Sequence, residues 1–265
     1  MAMDLSKARI KAIKGLGRKK HRSEVGRFLV EGMRLVEEAA DSDFTIVEVL
    51  YTSEVLSHSS GDALIAKLRT KTDRVLHVSS HELETISETV TAQGILAVLR
   101  QKEWTVDAVL EGNGVQSTIV ALDSISDPGN AGTIIRTCDY FGVNGILLGK
   151  NAVELYNPKV VRATMGGLFH IPIADDVDLP SALTQAKSLG YRVYVTDLHG
   201  ETHFDKVNYD QQSLIVFGNE AWGVSDQLKD LADMRVMIRR YGSAESLNVS
   251  VACGVILSGI HKLFE

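Results

Sequence analysis

Three short stretches in the second half of this 265-residue chain put polar residues where chemistry can be done. In the first, "STIVALDSISDP" runs into "GNAGTIIRTCDYFG" (129–142). The pattern predicts a helix over 130–141, with Asn130 as N-cap and Gly132 permitting close backbone approach. Ile134, Ile135, Cys138 and Phe141 form one apolar stripe, which leaves Arg136 almost opposite, facing solvent, a partner subunit or a ligand. Arginine keeps its proton in nearly all protein settings, so that position offers a fixed cation and not a base. The second stretch, "IVFGNEAWGVSDQL" (215–228), takes a buried strand into a tight loop. Gly218 and Gly223 flank Asn219 and Glu220 there, and backbone N–H and C=O groups face whatever binds. The third, "MIRRYGSAESLNVSVACGVILSGIHKLF", predicts a long helix capped by Ser246, with Leu247, Asn248 and Ser250 in its first turns. Arg239, Arg240, Gly242 and Glu245 precede it in a polar loop. Each stretch alone reads equally as a capped surface helix or an ordinary strand–loop–helix connection.

The elements that must position these residues follow from periodicity. The first hundred residues alternate helix and strand: a basic helix to about Lys14, then "RFLVEG", "MRLVEEAA", "FTIVEVLYT", "GDALIAKLRT", "RVLHVSS", "HELETISE" and "GILAVLR". Residues 101–115 break the pattern and read as a linker between a domain over 1–100 and another over 116–265. The second half alternates again: "STIVALD", the 130–141 helix, "GILLG", a helix near "NPKVVRATMG", "LFHIPIA", "LPSALTQAKSLG", "RVYVTDL", "SLIVFG", "SDQLKDLA", "MRVMI" and the final helix. Continuous apolar strands between helices imply an α/β fold with a mostly parallel sheet covered on both faces. Ligands in such sheets gather beyond the carboxyl ends of the strands, where the three stretches lie. Neither GxGxxG nor GxxxxGK[ST] stands at a strand end, which argues against dinucleotide or P-loop binding.

Composition bounds the class. With 45% hydrophobic and 23% charged residues, the chain reads as globular rather than disordered. The low-charge run Val249–Ile260 is too short to span a bilayer, and the basic N-terminus lacks a signal-peptide core, so a cytoplasmic protein with no membrane association is expected. Cys138 and Cys253, with no CxxC, read as reduced core residues, and no His/Cys/carboxylate cluster has metal-ligand spacing. Nine basic residues between Lys7 and Arg27 stand against one acid, Glu24. That segment therefore carries +8 and the remainder −14 of the net −6. Such an arm reads either as a solvated helix face or as a polyanion-binding surface; an amphipathic helix followed by a Gly-containing basic loop is predicted.

Taken together, "NAGTIIRT", "GNEAWGVS" and "SLNVSVA", in this order and spacing, resemble the three signature motifs of the SpoU (TrmH-type) RNA 2′-O-ribose methyltransferases of the SPOUT superfamily. The resemblance covers about 117–265. "KHRSEVGRFLVEGMRLVEEA" is similar to the ribosomal-protein-like RNA-binding domain that precedes many bacterial members. The resemblance implies a C-terminal α/β-knot domain with a deep trefoil knot, a pocket for S-adenosylmethionine, and a homodimer paired through that domain. By matching position, Gly218, Ile238 and Leu247 would be backbone contacts to the cofactor. Phe217, Asn219, Glu220, Gly223 and the loop Thr196, Asp197, Leu198 would line the pocket. Arg136 would orient the ribose and its phosphate and stabilise the developing alkoxide, with Asn130, Glu220, Ser246 and Asn248 holding hydroxyl and guanidinium in register. Lys11, Lys14, Arg18, Lys19, Lys20 and Arg22 would then bind RNA, with 23S rRNA preferred over tRNA because a separate N-terminal domain is more usual among rRNA-directed members. Two rivals remain: a tRNA 2′-O- or base methyltransferase of the superfamily, and a non-catalytic RNA-binding or ribosome-assembly protein.

Overall fold

A computed structural model describes residues 5–89, 93–111 and 116–261, and they form two compact units. The first holds the described residues up to Lys102 together with Tyr156–Phe169; the second holds Glu103–Leu155 and the chain from His170 onward.

In the first unit, α1 (Lys7–Gly15) and α2 (Lys19–Val25) precede β1 (Arg27–Glu31), α3 (Met33–Asp41), β2 (Ile46–Tyr51) and α4 (Ser53–Leu56). Then follow α5 (Gly61–Lys71), β3 (Val75–His77), α6 (Ser80–Ile86) and β4 (Ile95–Arg100). The sheet order is β1-β4-β2-β3, with β4 antiparallel to both β1 and β2. β4 is central because five consecutive apolar residues, Ile95 to Leu99, can be buried on both faces. Ile13, Leu16, Leu83 and Ile86 cover one face over Leu29, Leu50, Leu96 and Val98. Ser79 and Glu82 form a reciprocal capping box that starts α6, and Glu82 also accepts from the Leu5 backbone N–H at 2.7 Å. Glu48 on β2 is fully buried and accepts from Arg9 and, at 3.5 Å, from Arg74.

The basic arm differs from the sequence reading in two ways. Residues 19–25 are helical instead of a loop, ended by Gly26 in the left-handed region at φ 60°. Arg22 is 2% exposed and donates to the Leu16 carbonyl at 2.8 Å, so it braces the turn between α1 and α2 and is withdrawn from any RNA-facing surface. Lys11, Lys14, Arg18, Lys19 and Lys20 remain exposed.

The second unit begins with α7 (Val106–Leu110), inside the stretch read as linker; its Val109 and Leu110 are buried in the core. Gly112 to Val115 fall outside the described residues. Next come β5 (Ser117–Leu122), α8 (Pro128–Tyr140) and β6 (Gly145–Gly149). The helix expected near "NPKVVRATMG", α9 (Pro158–Ala163), packs on β1 and so belongs to the first unit. Tyr156 and Phe169 hold its ends there, with ring centroids 4.5 Å from Phe28 and 5.2 Å from Phe44 respectively. "LFHIPIA" is not one strand: residues 167–169 make a 3₁₀ turn and β7 is Ile173–Val177. The chain continues as α10 (Leu179–Ser188), β8 (Arg192–Thr196), β9 (Thr202–His203), β10 (Gln212–Phe217), α11 (Asp226–Leu231), β11 (Met234–Met237) and α12 (Val249–His261).

These seven strands form one sheet, β7-β6-β5-β10-β8-β11-β9, in which every pairing is parallel. Burial explains the continuous apolar runs. Ile119, Ala121, Leu214, Val216, Val193 and Val195 face the core under α7, α10 and α11, and the alternate residues Val120, Leu122, Ile215 and Phe217 are equally buried. α12 packs against α8, bringing the free thiols Cys138 and Cys253 together; burial and that neighbour raise the Cys138 pKa. No helix among the described residues is long and apolar enough to cross a membrane.

Candidate active site

The carboxyl ends of β5, β8, β10 and β11 open into one region, and four loops build it. After β5, Asp127 sits in extended backbone and accepts the Asn130 N–H at 2.8 Å, so α8 starts at Pro128. Asp127, not Asn130, is therefore the cap. The sequence carries the signal, because Asp followed by Pro at the first helical position is a start signature. The shift frees the Asn130 side chain for other bonds. Its Nδ2 donates to Glu220 Oε1 at 2.8 Å, and its Oδ1 accepts from Asn248 Nδ2 at 2.9 Å.

Asn248 ends this chain of bonds. Its Oδ1 accepts from the Ser250 N–H at 2.9 Å and from the Ser250 Oγ at 2.6 Å, which is the bond of a helix cap. Ser246, expected as the cap, lies in the exposed loop before α12, which begins at Val249. Packing explains the shift: Val249 is buried, whereas Leu247 is half exposed and does not anchor a first turn.

Glu220 uses its acceptor capacity locally. Besides Asn130, it accepts from the backbone N–H groups of Ser126 and Asp127 at 3.4 and 3.3 Å, and from the Ser126 Oγ at 3.3 Å. Burial pushes its pKa up, but the Asn130 amide and the backbone N–H groups of Glu220, Ser126 and Asp127 outweigh it, and the carboxyl is held below its ordinary 4.5. The loop itself is tight. Asn219 and Gly223 exchange backbone bonds at 3.0 and 2.9 Å, Gly223 has φ 74°, and Asn219 Nδ2 donates to the Ser124 carbonyl at 2.7 Å. A Cβ on Gly218 would lie 2.1 Å from the Val224 nitrogen, so only glycine fits. Buried Asp123, which sequence reasoning missed, anchors the loop's far end by accepting from the Ser225 N–H at 2.8 Å.

Arg136 lies on α8, exposed, with no hydrogen bond or ion pair among the described residues. Ile134, Ile135 and Cys138 are buried, as the helical stripe predicts, whereas Phe141, expected in the same stripe, is half-buried just past the end of α8.

Beside this network is a cleft of about 550 Å³, within the range of small-molecule and cofactor sites. Its walls include every residue expected to meet a cofactor: Thr196, Asp197 and Leu198 after β8, Phe217, Gly218, Asn219 and Gly223 after β10, Ile238 after β11, and Leu247 before α12. Glu220 and Ser246 line it as well, whereas Asn130, Arg136 and Asn248 stand outside the lining. Val236, Val249 and Ile256 give it an apolar floor, and the tight Gly218–Gly223 turn brings backbone to one wall. An apolar floor under a rim that includes Asp197, Glu220, Arg239 and Glu245 suits a ligand that is part flat ring and part charged chain.

Residues 117–258 match the SpoU rRNA Methylase family, more than half of the chain. The chain belongs to the SpoU rRNA methylase family. Residues 7–97 match the MRM3-like substrate binding domain. Among SpoU relatives, the 23S rRNA (guanosine(2553)-2'-O)-methyltransferase RlmP of Bacillus subtilis is 32% identical over 249 residues, 94% of each chain. The AdoMet-bound rRNA methyltransferase from Sinorhizobium meliloti superposes with a TM-score of 0.86 at 30% identity, covering 98% of this chain and 97% of that one. The SpoU methyltransferase AviRb from Streptomyces viridochromogenes, in complex with AdoMet, gives 0.87 at 26% identity over 98% and 99% of the two chains.

Proposed function

We propose that this chain transfers a methyl group from S-adenosylmethionine to a ribose 2′-hydroxyl of RNA, in large-subunit (23S) ribosomal RNA. The observation that carries this is the bonded series Glu220–Asn130–Asn248 beside a cofactor-sized cleft, with the unpartnered Arg136 on the helix whose first turn holds Asn130. The full-length likeness to RlmP, named for a 23S rRNA 2′-O site, supports the substrate class.

The cleft fits the cofactor in size and chemistry. Gly218, Ile238 and Leu247 would hold it through backbone groups, with Thr196, Asp197, Leu198, Phe217, Asn219 and Gly223 enclosing it. When bound, S-adenosylmethionine supplies an activated methyl on a sulfonium. What remains for the protein is to align the hydroxyl oxygen, steady the charge that grows on it and exclude water.

Arg136 holds the ribose and its neighbouring phosphate and stabilises the developing alkoxide. Glu220 is a positioning residue. Its lone pairs are committed to Asn130, Ser126 and Asp127, and a carboxyl with a depressed pKa is a weak base toward an alcohol. Asn130 and Asn248 fix the start of α8 to the start of α12, which keeps the hydroxyl in register with the cleft; Ser246 contributes from the cleft wall. Because a guanidinium offers no acceptor and the lone pairs of Glu220 are committed, the hydroxyl proton passes to water or to a phosphate oxygen.

Lys11, Lys14, Arg18, Lys19 and Lys20 form the cationic surface for RNA in an N-terminal substrate-binding domain. The trefoil knot, a homodimer through the second unit and a cytoplasmic setting belong to the same reading. The knot is carried by the family resemblance.

The test is transfer of labelled methyl to total RNA from cells lacking the protein, with wild type and Arg136→Ala. Label in large ribosomal RNA that survives nuclease digestion as a 2′-O-methylated nucleoside, and is lost in the variant, supports the proposal. Label in tRNA overturns the substrate, a methylated base overturns the chemistry, and no label with no cofactor binding leaves a non-catalytic RNA-binding protein.

A further inference from the structure

Two of the most exposed aromatic rings among the described residues stand at one cleft. Tyr241 is 88% exposed and Trp222 is 69% exposed, and both contribute to the cleft lining. They come from different loops: Trp222 from the tight turn after β10, Tyr241 from the loop between β11 and α12. A tryptophan buries a large area when it finds a partner, and two such rings at the mouth of one site form a surface without a partner. Two cations flank them. The Arg239 guanidinium lies 5.7 Å from the centre of the Tyr241 ring, a cation–π contact that limits where that ring can turn. Arg240 follows, exposed, with no hydrogen bond or ion pair among the described residues.

Flat rings paired with guanidinium groups are the surface on which unpaired nucleobases stack while the cations meet the phosphates on either side. A protein partner is the poorer fit, because an arginine pair beside two rings favours an anion of alternating flat and charged parts. The cofactor is also the poorer fit, because rings this exposed are open to solvent, where RNA arrives, and are not enclosed as a small ligand's pocket would require. We infer that Trp222 and Tyr241, with Arg239 and Arg240, form a stacking platform for an unpaired base of the substrate RNA. That platform selects a target in a loop or a bulge over one in a duplex. This rests on the methyl-transfer reading and adds a specificity element to it. It also assigns a purpose to residues that neither align the hydroxyl nor line the cleft floor.

The chain has two tryptophans, Trp104 and Trp222, so Trp104→Phe leaves Trp222 as the sole reporter. A single-stranded RNA oligonucleotide of mixed sequence is titrated into this variant and its fluorescence followed. Total binding is followed in parallel through a dye on the RNA, and the same RNA is then tested as a perfect duplex. The platform predicts quenching of Trp222 by the single strand and not by the duplex, although the basic arm binds both. Quenching by S-adenosylmethionine alone, equal quenching by duplex, or no quenching while the dye reports binding would each overturn it. In methyl-transfer assays, Tyr241→Ala and Trp222→Ala should each raise KM for RNA about 10-fold, and Tyr241→Phe and Trp222→Phe should restore it, since a flat ring is what stacks. Unchanged KM in both alanine variants also overturns it. Failure of the methyl-transfer reading is distinguishable, because wild type would then label no RNA whatever the fluorescence shows.

Discussion

Two carboxylates, one in each unit, are answered by opposite kinds of partner. Glu48, in the first unit, is fully buried and answered by two arginines, Arg9 and Arg74. Glu220, in the second, is exposed and answered by neutral donors: one amide, one hydroxyl and backbone N–H groups. In the first case the cations are consumed in the fold, Arg9 tying α1 and Arg74 the segment before β3 to Glu48 on β2. In the second the carboxylate's partners are all neutral, and Arg136, further along α8, has no side-chain partner among the described residues. A fold that spends arginine on Glu48 and withholds it from Glu220 separates stability from chemistry, and the two regions should respond to mutation in opposite ways.

The sharpest way to break this contrast is Arg136→Ala. Methyl transfer should fall about 100-fold or more, as when a single oxyanion-stabilising donor is removed, while the melting temperature hardly moves. A large loss of stability, read by thermal denaturation, would make Arg136 structural and erase the distinction. Glu48→Ala should do the reverse. Leaving Arg9 and Arg74 without their buried anion should cost about 2–3 kcal/mol, less than a fully buried pair because both arginines are partly exposed. The midpoint of urea unfolding reads this.

A smaller effect sharpens the positioning role. Asn130→Ala removes the bonds to both Glu220 and Asn248 and should slow single-turnover transfer about 10-fold, with the affinity for S-adenosylmethionine retained. Acid provides a further test. The Glu220 pKa is lowered on folding, so its contribution to stability is complete above its unfolded value and is lost as pH falls through the folded one. The difference in melting temperature between wild type and Glu220→Gln should be constant near neutrality and shrink on acidification below about 4.5. A difference that grows in acid would reverse the sign. Smallest is the basic arm. Removing Lys19 and Lys20 together should flatten the salt dependence of RNA binding by roughly one to two counterions, while Arg22→Ala should lower stability instead.

Much of this site is legible before any fold is known. Glycines and polar residues interrupt apolar strands at three places, and strand ends are where α/β sheets bind ligands, so Gly218, Glu220 and Asn248 stand out. The boundaries were less legible. Asp127 and Asn130 are both good caps three residues apart, and the choice turned on whether Pro128 was read as the end of a loop or the start of a helix. Arg22 misled for a different reason. A cation in a basic run looks solvated, and only the turn at Leu16 shows that its guanidinium has an internal carbonyl to satisfy.

The sequence by itself determined which strands lie in the sheet interior, because runs such as "STIVAL" and "SLIVF" can be satisfied only by burial on both faces. It also determined the apolar and polar faces of α8, because helical period fixes them. Tertiary structure alone decided that Asn130 would meet Glu220, 90 residues later, and Asn248, 118 residues later. It likewise decided that α9 would pack with the first unit. The physical reason is range. Burial and periodicity act on neighbouring residues and are written locally, whereas a hydrogen bond acts over about 3 Å and exists only once the whole sheet has brought its partners together.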